Sequence, residues 1–352
     1  MKSKKQIVFV LFTCLLLISF HASGETMLSG SAGIVQSSDF YWVTFSGDCS
    51  CDSIFLMQID ANGNVLKSPK AVLDVETYGA GASGLVKMGQ SKLVLLHWKS
   101  SSYMVRAIID KSTLKASGVK TTNLYSFENE FLHITQKPSG NFLIAENYPT
   151  GTLSSHQISK KGIPKSASID LAPNAPFDSD EASVASDGLY VVTNRYSSTG
   201  SSEKLYIQQL NEKGVPTGSP KFLAKFKDIE SVDVTNSLAD GGRFVVYTVD
   251  AGTTPDDRIY LQRINAAGKK VGSKKIVNTP PDRSEDSQTV AIDPLGRFVL
   301  FTMGGDNYGC AGSDILVYQA LDPTGSANGP LKVLAGCQLV TDDIMNVDIV
   351  KE

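Results

Sequence analysis

Residues 259–273 read IYLQRINAAGKKVGS, and the same pattern returns as IFLMQIDANGNVLKS at 54–68, LYIQQLNEKGVPTGS at 205–219 and ILVYQALDPTGSANG at 315–329. Each is a run of β-branched, aromatic and other apolar residues ending in a polar turn, which reads as a strand entering a hairpin. YMVRAIIDKSTLKAS at 103–117 and LSSHQISKKGIPKSA at 153–167 are weaker copies, so six are present. The residues closing these strands are Ile59, Ile109, Ile158, Leu210, Ile264 and Leu321, spaced by 50, 49, 52, 54 and 57 residues. A steady period of this length marks a repeat architecture.

Four positions after the closing residue stands Gly63, Gly162, Gly214, Gly268 or Gly325, but Thr113 in the second copy. A hairpin turn whose late position needs positive φ favours glycine there, so the second turn is expected to differ in shape. The fragment DANGN (60–64) faintly echoes a calcium loop, but the EF-hand ligand spacing and its closing glutamate are missing.

Two further strands precede each hairpin strand, as in SVASDGLYVVTNR (183–195), SVDVTNSLADGGRFVVYTVD (231–250) and TVAIDPLGRFVLFTM (289–303). The first, A, is short. The second, B, is apolar throughout, as in a strand covered on both faces. The hairpin strand is C, and a short strand D follows the glycine turn at Lys70, Lys221 and Lys274. Six four-stranded antiparallel units of this period predict a six-bladed β-propeller, since one such sheet buries both faces only between neighbours. Seven blades, or paired β-sandwiches, are the alternatives. The blades fall at 28–75, 80–124, 128–172, 180–225, 228–278 and 286–335. A surplus strand A at 343–350, matching Asp228–Val234, is a candidate closing strand; it competes with GIVQSS at Gly33 for a place beside blade one.

The unit TVAIDPLGRFVLFTM followed by DILVYQALDPTGSANGPLKVL (314–334) resembles the β-propeller repeat of bacterial secreted and cell-surface proteins. The resemblance covers the chain beyond residue 24 and carries fold information only. Neither a sialidase Asp-box nor a GH…WD pair is found.

Lys2, Lys4 and Lys5 precede an uncharged run from Ile7 to Phe20 and the small-residue stretch ending at Gly24, the pattern of a secretory signal peptide cleaved after Gly24. Residues 25–352 then form one propeller domain, secreted or periplasmic, monomeric and without a membrane span. Thr13 before Cys14 speaks against a lipoprotein. Removing residues 1–24 leaves 30 basic against 36 acidic residues, a balance that argues against a nucleic-acid partner.

Cys49, Cys51, Cys310 and Cys337 remain after cleavage, an even count that favours disulfides in an exported protein. Phased on the repeat, Cys49, Cys51 and Cys310 fall in the B–C loops of blades one and six, and Cys337 in the connection leaving blade six. Cys49 and Cys51 are therefore expected to pair crosswise with Cys310 and Cys337; a zinc site is the competing reading.

Phasing also collects Trp98, Tyr103, Tyr148, Arg195, Tyr196, Asp250 and Tyr308 on the same face, a mixture suited to a protein or glycan ligand. Glu128, Asp180, Asp228, Asp286 and Asp343 recur at one position before strand A. They either ring the channel mouth as ligands for a cation such as calcium or cap their own turns. No other cofactor is expected. Of the histidines, His133 and His156 read as structural and His97 as the one to test. Gly79–Gly84 matches G-x-G-x-x-G but precedes strands rather than a helix. The leading functional expectation is a non-enzymatic binding propeller; the alternative is a polysaccharide hydrolase or lyase using the channel-mouth acids.

Overall fold

The computed structural model describes residues 39–47, 53–74, 83–88, 90–100, 103–123, 130–136, 142–147, 153–159, 165, 169–171, 182–185, 187–196, 202–249, 258–278, 289–305, 310–336 and 344–351. The chain divides into Met1–Gln36 and Ser37–Glu352, and all described residues belong to the second unit.

The described residues form strands and turns with no helix, and none of their elements is a helix long and apolar enough to cross a membrane. Sheet one contains β1 (Phe40–Gly47), β2 (Ser53–Asp60) and β3 (Val65–Asp74). Sheet two is β4 (Ser83–Met88), β5 (Lys92–Ser100), β6 (Tyr103–Asp110) and β7 (Ala116–Asn123). Sheet three is β8 (Glu130–Gln136), β9 (Phe142–Asn147), β10 (Leu153–Ile158) and β11 (Ile169–Asp170). Sheet four is β12 (Ala182–Val184), β13 (Tyr190–Tyr196), β14 (Glu203–Leu210) and β15 (Pro216–Phe226). Sheet five is β16 (Ser231–Val234), β17 (Arg243–Val249), β18 (Arg258–Ile264) and β19 (Lys270–Asn278). Sheet six is β20 (Val290–Ile292), β21 (Phe298–Gly305), β22 (Cys310–Ala320) and β23 (Lys332–Ala335).

The last strand, β24 (Ile344–Lys351), returns to sheet one, pairing antiparallel with β1 from Tyr41–Lys351 to Gly47–Ile344. Sheet one is thus completed from the C-terminus, in the order β24-β1-β2-β3. The surplus strand-A copy at 343–350 supplies its first strand; GIVQSS lies outside the described residues.

First strands touch in sequence, β4 with β8, β8 with β12, β12 with β16, β16 with β20, β20 with β24, and β24 with β4. The apolar core is divided among the faces between neighbouring sheets. Phe45, Phe55 and Met57 of sheet one pack with Phe298, Leu300 and Leu316 of sheet six, and Val192 and Ile207 of sheet four with Val245 and Tyr247 of sheet five. This division explains the unbroken apolar B strands: every residue of β17, RFVVYTV, is buried.

Gly63, Gly214, Gly268 and Gly325 all have positive φ, as the hairpin pattern requires. In the second copy Leu114 takes φ 53° instead, and its N–H donates to Asp110 O, four residues back rather than three. That turn is one residue longer. The residue after each closing Ile or Leu is the second determinant of these turns. The side chains of Asp60, Asp110, Asn211, Asn265 and Asp322 accept main-chain N–H groups two to four residues on. Asp60 is thereby occupied as a turn residue, which accounts for DANGN.

Strand D is longer than the sequence reading: β3, β15 and β19 start directly after the turn. Gly218, Gly272 and Gly329, at positive φ, lie in stretches where the C–D register shifts or lapses. There Gln208, Gln262 and Gln319 donate to Thr217 O, Val271 O and Gly329 O.

Candidate functional site

Several of the expected ligand-face residues lie in strands rather than loops. Trp98 is in β5 opposite Met104, and Tyr103 opens β6. Arg195 and Tyr196 end β13, opposite Lys204 and Glu203. These four positions flank the B–C connections of sheets two and four. Tyr148, Asp250 and Tyr308 lie outside the described residues. Cys310 is likewise not a loop residue but the first of β22, opposite Gly305; Cys49, Cys51 and Cys337 lie outside the described residues.

Of the recurring acids only Asp228 is described, Glu128, Asp180, Asp286 and Asp343 lying outside. Asp228 is exposed, and the neighbouring N–H of Ile229 donates to Glu203 at 2.6 Å, so the cap of this turn comes from β14. His97 is wholly buried, and desolvation pulls its imidazole down to about 4. It is therefore neutral at physiological pH and does not present itself to a surface ligand.

Among the described first strands, which also hold Glu130 in β8, two further carboxylates make contacts between sheets, Asp233 and Asp348. They occupy one level of their sheets, opposite Val246 in β17 and Thr44 in β1. Ser183, His133, Gly84 and Ala291 take the same register position in sheets four, three, two and six. Asp233 accepts the N–H of Ile292 at 2.8 Å and of Val234 at 2.7 Å, while Ser183 Oγ donates to it at 2.7 Å. Asp348 likewise accepts the N–H of Leu85 at 2.8 Å and of Ile349 at 2.7 Å. Ser231 Oγ accepts the N–H of Val290. For Ile292, Leu85 and Val290, a side chain thus satisfies a main-chain donor on the edge of the next sheet, a donor that would otherwise be costly to bury.

Asp348 keeps some accessible surface, yet protein crowds it, and desolvation pushes its carboxyl up to about 7; the charge of Asp233 adds in the same direction and the two N–H donors oppose it. Both acids stand in the alignment of Asp228–Val234 with Asp343–Val350, five places after the acids singled out. The missing signal was that an acid inside a covered strand needs a partner.

At the opposite end, long side chains of one sheet reach the C–D turn of the next. Lys67 donates to Lys111 O, Lys70 to Thr113 O, Gln157 to Lys213 O, Lys221 to Ala267 O, Lys275 to Thr324 Oγ1 and Ser326 Oγ, and Lys332 to Asn62 O. Tyr190 and Tyr318 hydroxyls donate to Ala266 O and Ala61 O of the same turns. Between sheets six and one, Arg297 pairs with Asp293 and with Asp39, and Asp39 also meets Lys351 at 3.1 Å.

No family model and no curated protein matches the chain. Among solved structures, a protein of unknown function from Bacteroides caccae is similar over 89% of this chain and 99% of its own, with 11% identity and a TM-score of 0.53. AofleA from Arthrobotrys oligospora matches over 88% of this chain and 85% of its own, with 10% identity and a TM-score of 0.53. A protein of unknown function from Dyadobacter fermentans matches over 86% and 84%, with 11% identity and a TM-score of 0.50. At such identities the likeness concerns the fold alone.

Proposed function

We propose that the chain is a six-bladed β-propeller of the bacterial secreted or cell-surface repeat type, acting outside the cytoplasm as a non-catalytic module that binds a protein or a glycan. The blade count is supported by six four-stranded sheets whose first strands touch in an order that returns on itself through β24. The C–D turns of neighbouring sheets meet at one end, so the B–C connections share the other.

The observation that carries the binding reading is the register of Trp98, Tyr103, Arg195 and Tyr196 beside those connections in two sheets. Tyr, Trp and Arg are the residues that anchor interfaces. Calcium at the acids before strand A remains part of the proposal. It predicts a rise in Tm with calcium over EDTA.

The test uses the protein of residues 25–352 on a glycan array and in pull-downs from extracellular extracts, beside a Trp98→Ala/Tyr103→Ala variant of equal thermal stability. Retention of one ligand class that drops at least tenfold in the variant supports the reading. A blank array together with blank pull-downs refutes it.

A further inference from the structure

The spaces beneath three C–D turns differ, although the turns themselves are alike. A Cβ on Gly325 would stand 2.4 Å from Leu261 and 2.8 Å from Phe244, and one on Gly63 2.6 Å from the Tyr318 ring. These glycines are pressed by the preceding sheet. Beneath Gly268, the three nearest atoms to such a Cβ belong to Lys221, at 3.4 and 3.6 Å, and to Tyr190, at 3.7 Å, so nothing stands closer than ordinary contact.

Ile207, Leu261 and Tyr318 stand three positions before Leu210, Ile264 and Leu321, so they are the same residue of the repeat. Branched at Cβ, isoleucine keeps one of its methyls at the γ position, whereas leucine carries both at δ and tyrosine a whole ring, so isoleucine places less bulk toward the next turn. What remains between sheets four and five is a cavity of about 220 Å³. That is below the roughly 300–1,000 Å³ of sites for drug-sized ligands and suits a single small ring.

Its chemistry is one-sided. The apolar wall is Ile207 with Tyr190, whose hydroxyl is held by Ala266 O and whose face is covered by Arg243 at 4.5 Å. The polar wall is Gln209, Thr217, Ser219 and Lys221. Among the described residues, Lys221 supplies the lining's one cation, and no carboxylate lines the space. Its ammonium carries three N–H donors, of which the bond to Ala267 O uses one.

We infer that this cavity is a binding site for a small polyhydroxylated carboxylate of the hexuronic-acid class. Lys221 takes the carboxylate, Thr217, Ser219 and Gln209 take ring hydroxyls, and the apolar wall takes the hydrophobic face of the ring. The site lies at the C–D turn end, away from Trp98 and Tyr103, and does not depend on the ligand proposed for the B–C end.

The experiment is saturation-transfer NMR and calorimetry with glucuronate and galacturonate, with glucose and acetate as probes of the two halves of the ligand. Uronate binding at roughly 10 mM or below is expected, with weaker glucose and acetate. Lys221→Gln should weaken the uronate at least tenfold and leave glucose unchanged. Ile207→Phe should fill the cavity and abolish binding; Thr217→Val, exposed and outside the core, serves should that variant fold poorly, and should weaken the uronate severalfold. The Trp98→Ala/Tyr103→Ala variant should bind uronate normally, which separates this site from the other end. Absence of uronate binding to the unmodified protein, acetate binding as tightly as uronate, or indifference to both Lys221→Gln and Thr217→Val would each overturn the inference.

Discussion

Asp348 accepts the main-chain N–H of Leu85 at 2.8 Å across 263 residues of sequence, joining the last strand of the chain to the first strand of sheet two. The contact sets a pH dependence. In the folded chain burial holds the Asp348 proton to about pH 7, against an ordinary carboxyl value near 4. Between those values the folded state binds more protons than the unfolded one, so stability falls as pH rises through this window. Asp293, pushed up to about 6 mainly by burial, adds to the same slope over its lower part. Thermal unfolding should therefore give a higher Tm near pH 5 than near pH 8. Asp348→Asn, which can still accept from Leu85, should flatten the slope and at pH 8 match or exceed the unmodified protein, by on the order of 2 °C. An unchanged slope in that variant would show that Asp348 is not the titrating group.

Strand β24 also holds the edge of β1, and Lys351 meets Asp39 beside Arg297. Deleting residues 343–352 exposes that edge, a template for pairing with other chains. The truncated protein should elute from size exclusion as dimers and larger species and lose its cooperative transition. A synthetic peptide of residues 343–352 added in trans should restore the monomer and much of the Tm. A truncated protein that stays monomeric with an unaltered Tm refutes this role.

The turn glycines rank themselves. Alanine at any of them occupies the left-handed region, a cost of about 1–2 kcal/mol. At Gly63 and Gly325 the added methyl also meets the Tyr318 ring, or Leu261 and Phe244, below 3 Å, and overpacking adds about 1–3 kcal/mol. At Gly268 it meets the flexible end of Lys221 at 3.4 Å. Denaturant titration should order the losses as Gly325→Ala and Gly63→Ala well above Gly268→Ala. Equal losses would mean that Gly268 is pressed by sheet four as closely as Gly63 and Gly325 are by their neighbours.

The hairpins are legible in the sequence because local chemistry fixes them: an apolar strand, an Asp or Asn, and a glycine four places past the closing residue. The odd turn is legible too, since Thr113 breaks the pattern just where Leu114 is forced to positive φ. Asp233 and Asp348 are not, because their partners Ile292 and Leu85 belong to other sheets, and periodicity along one strand says nothing about a neighbour's free N–H. The cavity beside Ile207 is hidden for a related reason. Ile, Leu and Tyr are equivalent as apolar letters, and only the bulk each places toward the next turn separates them. Connections such as 250–257, DAGTTPDD, have no periodic pattern, so phasing assigns Asp250 to an end of the sheet but not to a site.

Sheets one and six share a core, with Tyr41, Phe45 and Phe55 against Phe298 and Tyr318, and Cys310 begins β22 in the second of them. Cys49 and Cys51 fall in the β1–β2 connection of the first, and Cys337 follows β23. A bond between Cys49 and Cys51, which only Ser50 separates, closes a very tight ring, whereas a bond to sheet six closes a loop of about 260 residues in the unfolded chain, where cross-linking removes most entropy. Peptide mapping without reductant should recover Cys49 and Cys51 joined to the Cys310 and Cys337 peptides. Reduction should then lower stability by about 2–5 kcal/mol per bond, with β24 still paired to β1 and the fold retained at low temperature. A Cys49–Cys51 peptide with no link to sheet six would instead leave β24, the Arg297–Asp39–Lys351 cluster and the shared apolar core to hold the first and last sheets together.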